Sequence, residues 1–389
     1  MQKNATLAIV NCRLVLPCEI LSDAAILLAG EHILAFGKRE ELTIPDGVRV
    51  IDAEGAYVGP GFVDIHVHGA GPGRDTSFDT EAAAAYFLSH GETTILATPW
   101  YSMNAERMLD AVKSIKKNMP KTKNVRGIYM EGPYTNPNYG ANAKLNPWRH
   151  GIAKDEYRPI VDEAGALARV WVIAPEREGI EDFVRYVKSV NPHAVISVGH
   201  SEATPAQIRA LGENAPTLQT HAMDATGKVR TPSRTQLYGP DEYFLVQKDA
   251  ICELICDSQG LHVHDDMLRL LLHCKGVEGI ALVTDSASTS GEPPQEYAHI
   301  TDVNFSKFGE IAGSRLTMDV AFRNIMAHAR VDVREAFLMA STNPARAVGL
   351  DGELGSISVG KRADLVILSD TYELQAVIIG GEVLQDANG

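Results

Sequence analysis

Short apolar runs of β type recur through the middle of the chain, at residues 62–68, 93–98, 125–130, 170–174, 194–199, 217–222, 251–256 and 280–284. Between many of them lie stretches with helical spacing rich in Ala, Glu or Lys, such as 80–90, 105–118 and 180–190. Thr204-Pro205-Ala206-Gln207 and Ser102-Met103-Asn104 read as helix starts, with an oxygen-bearing cap or a proline in the first turn. Eight strand-then-helix units between Phe62 and Asp285 predict an α/β chain folded as a closed (β/α)8 TIM barrel. The competing architecture, an open doubly wound sheet, usually has fewer strands and a glycine-rich phosphate loop after the first. No such loop is present.

The two ends follow a different rhythm. Residues 1–58 carry alternating runs at 7–10, 25–28 and 32–36, broken by Gly30 and Gly37, and residues 353–389 do the same at 363–368 and 376–379, before Gly380-Gly381. The expected arrangement is a small β-sandwich domain formed by both termini, 1–58 plus 353–389, clasping a barrel domain at 59–352. Stretches 134–150 and 225–247 read as long loops, which in compact domains are often functional.

Composition narrows the class without naming a function. At 389 residues, with 45% hydrophobic and 22% charged positions, the chain reads as a soluble globular protein. No apolar run approaches the ~20 residues of a membrane span, and Met1-Gln2-Lys3-Asn4-Ala5 lacks the pattern of a signal peptide. Five cysteines without tight pairs point to reduced thiols and a cytoplasmic protein, with Cys252 and Cys256 read as core residues. A net charge of −14 argues against nucleic acid as a partner. An anionic substrate would need a local basic pocket to overcome that field.

The candidate chemistry sits at the C-terminal ends of the strands, where barrel active sites are built. In Pro60-Gly61-Phe62-Val63-Asp64-Ile65-His66-Val67-His68-Gly69 the two histidines, two residues apart, project to one face of the strand. Strand three ends in Glu131, strand five in His200, strand six in His221 and strand eight in Asp285. Each alone has an ordinary structural explanation, such as capping a backbone carbonyl. Together, four imidazoles and two carboxylates at one rim make a site for one or two divalent ions, because burying so many polar groups without a role is costly. Nitrogen with carboxylate oxygen suits zinc, iron or related metals better than magnesium.

These runs resemble the amidohydrolase superfamily, and within it the N-acetylglucosamine-6-phosphate deacetylase family. The resemblance spans nearly the whole chain. Glu131-Gly132-Pro133, Gly199-His200-Ser201, and Ala312-Gly313-Ser314 with Leu316-Thr317-Met318 are its deacetylase-specific parts, while His66-Val67-His68 and Gly360-Lys361-Arg362-Ala363-Asp364 mark only the superfamily. The resemblance implies that Glu131, His200 and His221 hold the main catalytic metal. It gives His66 and His68 a second ion bridged by Glu131, and makes Asp285 the general base and acid. Some members lack the two histidines and work with one ion, so one or two ions per chain are implied. It further implies a small-molecule substrate, a homodimer, and substrate contacts from Ala141, Asn142, Asp224, Ala225, Arg230, His262, Ile311, Ala312 and Gly313.

Two of those positions depart from the family pattern. Asn142 stands where the family has His or Gln, and Asp224 where it has Asn. A carboxylate at 224 would repel a phosphate or ask for a hydroxyl or amine instead. Lys228, Arg230 and Arg234 share the loop where a phosphate anchor is expected, and Arg230 is preferred. The leading expectation is deacetylation of an N-acetyl amino-sugar 6-phosphate. The alternatives are N-acetylgalactosamine 6-phosphate, another small N-acyl compound, or a non-catalytic scaffold on the same fold.

Overall fold

The structure, a computed structural model, describes residues 4–141, 143–230, 236–288 and 291–385. Its centre is an eight-stranded parallel sheet whose strands follow one another in sequence order. They are Phe62–Val67, Glu92–Ala97, Val125–Met130, Ala168–Ile173, Val195–Val198, Leu218–Gln219, Ile251–Ile255 and Ile280–Val283, here called strands one to eight. All eight expected runs are present. The sixth is the shortest, because the chain leaves extended geometry at His221, Met223 and Ala225, all with positive φ.

Strand eight returns to strand one and nearly closes the barrel. Asp285 N donates to His66 O at 3.0 Å, and His68 N donates to Ser286 O at 2.9 Å. Lower in the same seam the Asp64 carboxylate replaces part of the ladder. It accepts from its own strand at His66 N (3.1 Å) and across the gap from Thr284 N and Thr284 Oγ1. Burial pushes Asp64 up to about 7, against the lowering effect of those hydrogen bonds.

The outer helices bury apolar stripes at helical spacing. In Ala105–Asn118 the buried positions are Met108, Ala111, Val112 and Ile115, and the Asn104 side chain caps the start by accepting from Arg107 N. Thr204 and Gln207 form a full capping box on Pro205–Ala210. Outside 231–235, the stretch 225–247 carries regular structure where the sequence suggests a loop. It holds a hairpin, Val229–Arg230 with Leu237–Tyr238, and a helix, Pro240–Val246. Proline in the first turn and Glu242 reaching back to Gly239 N at 2.8 Å start that helix. After strand eight a second hairpin, Val303–Phe305 with Ile311–Ser314, folds over the barrel mouth.

Strands from both ends of the chain build one branched sheet. Leu7–Val15 lies at its centre, paired with Ile20–Ala29 on one edge and with Arg49–Asp52 and Tyr57–Pro60 on the other. Leu365–Leu368 adds antiparallel to Tyr57–Pro60, followed by Leu374–Ile379 and Glu382–Gln385. Residues of both branches, among them Ile9, Leu14, Ile26, Val58, Leu365 and Ile378, share one apolar core. Only Gly61 separates this sheet from barrel strand one, and a Cβ there would lie 2.1 Å from Thr93 Oγ1. Absence of a side chain therefore sets how closely the sheet feeds the barrel.

Candidate metal centre

Parallel strands bring their C-terminal ends to one rim, so residues far apart in sequence meet there. His66 and His68 rise from strand one, Glu131 from strand three, His200 from strand five, His221 from strand six and Asp285 from strand eight. Three of them, His200, His221 and Asp285, lie just beyond their strands with φ of 45°, 28° and 47°. Left-handed backbone costs a non-glycine residue ~1–3 kcal/mol and is found where surrounding structure enforces it, commonly at functional sites.

Glu131 is the hub. Its Oε1 lies 2.8 Å from His200 Nε2, 3.5 Å from His221 Nε2 and 3.7 Å from His66 Nε2, and its Oε2 lies 3.3 Å from His68 Nε2. His200 and His221 bring their Nε2 atoms within 3.1 Å of each other. Asp285 Oδ1 stands 3.3 Å from His68 Nε2 and 3.7 Å from His66 Nε2. Two triads result, His66–His68–Glu131 and Glu131–His200–His221, each with ligand atoms within 4.8 Å of one another.

The hydrogen bonds behind the rings decide which nitrogen faces inward. His66 Nδ1 meets Glu253 Oε2 at 3.2 Å, His68 Nδ1 meets Thr98 O at 2.9 Å, and His221 Nδ1 meets Asp224 O at 3.2 Å. All three partners are acceptors, so Nδ1 carries the proton and Nε2 offers a lone pair to the centre. Ring contacts, two stacked and one tilted, add further restraint. His68 lies under Trp100 at 3.7 Å, His66 on Tyr129 at 4.4 Å, and His200 against Tyr101 at 4.6 Å.

The residues fit a divalent ion. His66 Nε2, His68 Nε2 and Glu131 Oε2 are buried with no hydrogen-bond partner, an expensive condition that a shared cation relieves. Electrostatics agree. Burial pushes the His68 and His221 imidazoles down, but the neighbouring carboxylates, Asp285 and Glu131 for His68 and Glu131 foremost for His221, outweigh it and raise both to about 10. Burial pushes the carboxyls up, yet the facing imidazoles hold Glu131 well below and Asp285 below the usual carboxylate range. Such a field attracts positive charge, whether carried by protons or by a metal ion.

A cavity of about 230 Å³ opens over this group, and Ala141, Asp224, Ala225, Ile311, Ala312 and Gly313 line it. His262 lies behind that wall, with Nε2 at 3.2 Å from Gly313 O and Nδ1 at 2.9 Å from Asp257 Oδ2. Arg230 is exposed on its hairpin and is not among the lining residues. Asn142 and Arg234 lie outside the described residues. The sequence reading passed over Trp100, Tyr101 and Glu310, which also line the cavity. Trp100 and Tyr101 follow strand two and could have been found by the same strand-end rule; Glu310 sits on a hairpin that no strand-end rule reaches. The described lining residues include Glu131, Asp224, Asp285 and Glu310 but no lysine or arginine.

Comparison with known proteins places these features in context. The model of the amidohydrolase family matches residues 57–384. An N-acetylglucosamine-6-phosphate deacetylase of Haemophilus influenzae is 27% identical over 96% of this chain and 98% of the relative. An N-acetylgalactosamine-6-phosphate deacetylase of Escherichia coli O157:H7 is 30% identical over 87% of this chain and 90% of the relative. Among solved structures, a mutant N-acetyl-D-glucosamine-6-phosphate deacetylase of Mycobacterium smegmatis, in complex with N-acetyl-D-glucosamine-6-phosphate, superposes with a TM-score of 0.80. It is 27% identical and covers 97% of this chain and 99% of that one.

Proposed function

The chain belongs to the amidohydrolase family, and from that premise we propose that it is a metal-dependent deacetylase that converts N-acetylglucosamine 6-phosphate to glucosamine 6-phosphate and acetate. The observation that carries this reading is Glu131 facing four imidazole nitrogens with Asp285 beside them. In it, Glu131, His200 and His221 would hold one ion, and His66 and His68, beside Glu131, would hold a second. A divalent cation there supplies Lewis acidity, activating water near neutral pH and polarising the amide carbonyl. Asp285, whose carboxyl is held ionised, takes a proton from the attacking water and returns it to the departing amine nitrogen. Ala141, Ala225 and the 311–313 backbone shape the sugar site. Tyr101, with its hydroxyl bound to Ala141 O at 2.6 Å, braces the wall beside His200.

The reading extends to zinc or iron as the ion, from the imidazole and carboxylate donor set. It also extends to a homodimer and to a cytoplasmic protein, the latter supported by five free cysteines. A second reading keeps the chemistry and changes the substrate, to the galactosamine epimer or to an unphosphorylated N-acyl amine. Asp224, a carboxylate on the cavity wall, favours it. The test is acetate release by metal-loaded protein from N-acetylglucosamine and N-acetylgalactosamine, each with and without 6-phosphate. Preference for the glucosamine phosphate supports the first reading. Indifference to phosphate overturns it in favour of the second, and no release from any of the four overturns both.

A further inference from the structure

Strand seven supplies no residue to the metal-facing set, yet it carries a carboxylate in the middle of an apolar run, Ile251-Cys252-Glu253-Leu254-Ile255. Glu253 is fully buried, and its polar neighbours are His66, the His221 backbone and the Tyr129 hydroxyl. Oε2 meets His66 Nδ1 at 3.2 Å and accepts from His221 N at 3.2 Å, while Oε1 has no hydrogen-bond partner. Barrel interiors are usually filled by branched apolar side chains. A buried carboxylate costs several kcal/mol unless its charge and lone pairs are matched. Two hydrogen bonds of 3.2 Å to one oxygen, with the Tyr129 hydroxyl beside the carboxylate, only partly offset that cost.

What it touches does account for it. His66 and His68 stand on one strand, but only His66 is backed by a carboxylate; His68 is backed by a peptide carbonyl. One face of the His66 ring rests on Tyr129, whose hydroxyl is tied to Thr220 Oγ1 at 2.8 Å and also faces the Glu253 carboxylate. The ring is therefore fixed in position, and Glu253 fixes its tautomer. The same oxygen tethers the backbone of His221 where it turns left-handed, so one group reaches a member of each triad.

We propose that Glu253 is a positioning residue for the two-ion centre, holding His66 with Nε2 directed at Glu131 and supplying the negative charge that a cation at His66 balances. This rests on the metal-binding part of the proposed function and not on the identity of the substrate. Carboxylates behind metal-binding histidines typically change metal affinity 10- to 100-fold.

The experiment is Glu253→Gln, which keeps the shape and removes the charge, compared with wild type in zinc titrations of metal-stripped protein against a chromophoric chelator. His66→Ala serves to identify the ion that His66 binds. Glu253→Gln should weaken that ion about 10- to 100-fold and the other ion by much less. Metal-free Glu253→Gln should melt no lower than metal-free wild type, because a desolvated charge has gone, while its stabilisation by added zinc should shrink. Unchanged zinc constants in folded Glu253→Gln overturn the proposal. So does a wild type whose zinc binding is insensitive to His66→Ala. A melt lowered equally with and without zinc assigns Glu253 a purely structural role and overturns it too. Loss of the proposed deacetylation with the zinc result intact would sink the substrate reading alone.

Discussion

His200, His221 and Asp285 show how much of the centre depends on single residues held in unfavourable backbone. Each leaves its strand through a left-handed turn, so its side chain swings over the barrel mouth instead of following the strand's alternation. Asp285 is the group without a substitute, since among the described residues no other carboxylate stands beside both His66 and His68 opposite Glu131. Asp285→Asn should keep its metal and lose turnover by about 100- to 10,000-fold, the range for removal of a general base. Steady-state rates with metal analysis of the same sample check this. Asp224 tests specificity. Asp224→Asn removes a negative charge from the cavity wall and should raise kcat/KM for a phosphorylated substrate about tenfold over its unphosphorylated counterpart. That is the 1–2 kcal/mol of a partly screened like-charge contact. An unchanged ratio would show that the phosphate lies far from residue 224.

Elements matter here through their ends. The loop after strand three passes so near the centre that Gly140, at φ +91°, would place a Cβ 2.7 Å from His200 Nδ1 and 2.6 Å from the Tyr101 hydroxyl. Gly140→Ala should displace His200 and weaken metal binding at least tenfold, measured by chelator competition, with a stability loss of about 1–3 kcal/mol from backbone strain. A remote cap provides the contrast. Thr204→Ala breaks the capping box of Pro205–Ala210 and should cost about 1 kcal/mol in urea unfolding while leaving the metal constants unchanged. That cap was legible in the sequence, as was the helix at Ala105–Asn118, because cap chemistry and apolar spacing act within a few residues. The hairpin and helix within 225–247 were not, since two-residue strands carry too little periodicity to be seen.

For the molecule as a whole, the seam between strands one and eight is the point at which a linear series of units becomes a barrel. Asp64 bridges that seam, and burial raises it to about 7 from an ordinary value near 3.8. The folded chain therefore keeps a proton that the unfolded chain releases, and stability falls as pH rises from about 4 to 7. For metal-free protein, Asp64→Asn should lose roughly 2–4 kcal/mol of that slope relative to wild type, at ~1.4 kcal/mol per unit, read from urea midpoints between pH 4 and 8. Parallel slopes would place the seam's stability elsewhere. From sequence alone came the eight barrel strands, five of the eight terminal strands and the residue types at the strand ends, because apolar runs and turn chemistry are local. Tertiary structure alone decided that Glu131 would face four imidazoles, that Glu253 and Thr98 would choose the tautomers of His66 and His68, and that Arg230 would stand outside the cavity. Those outcomes depend on distances between residues scores of positions apart, which only the closing of the barrel sets.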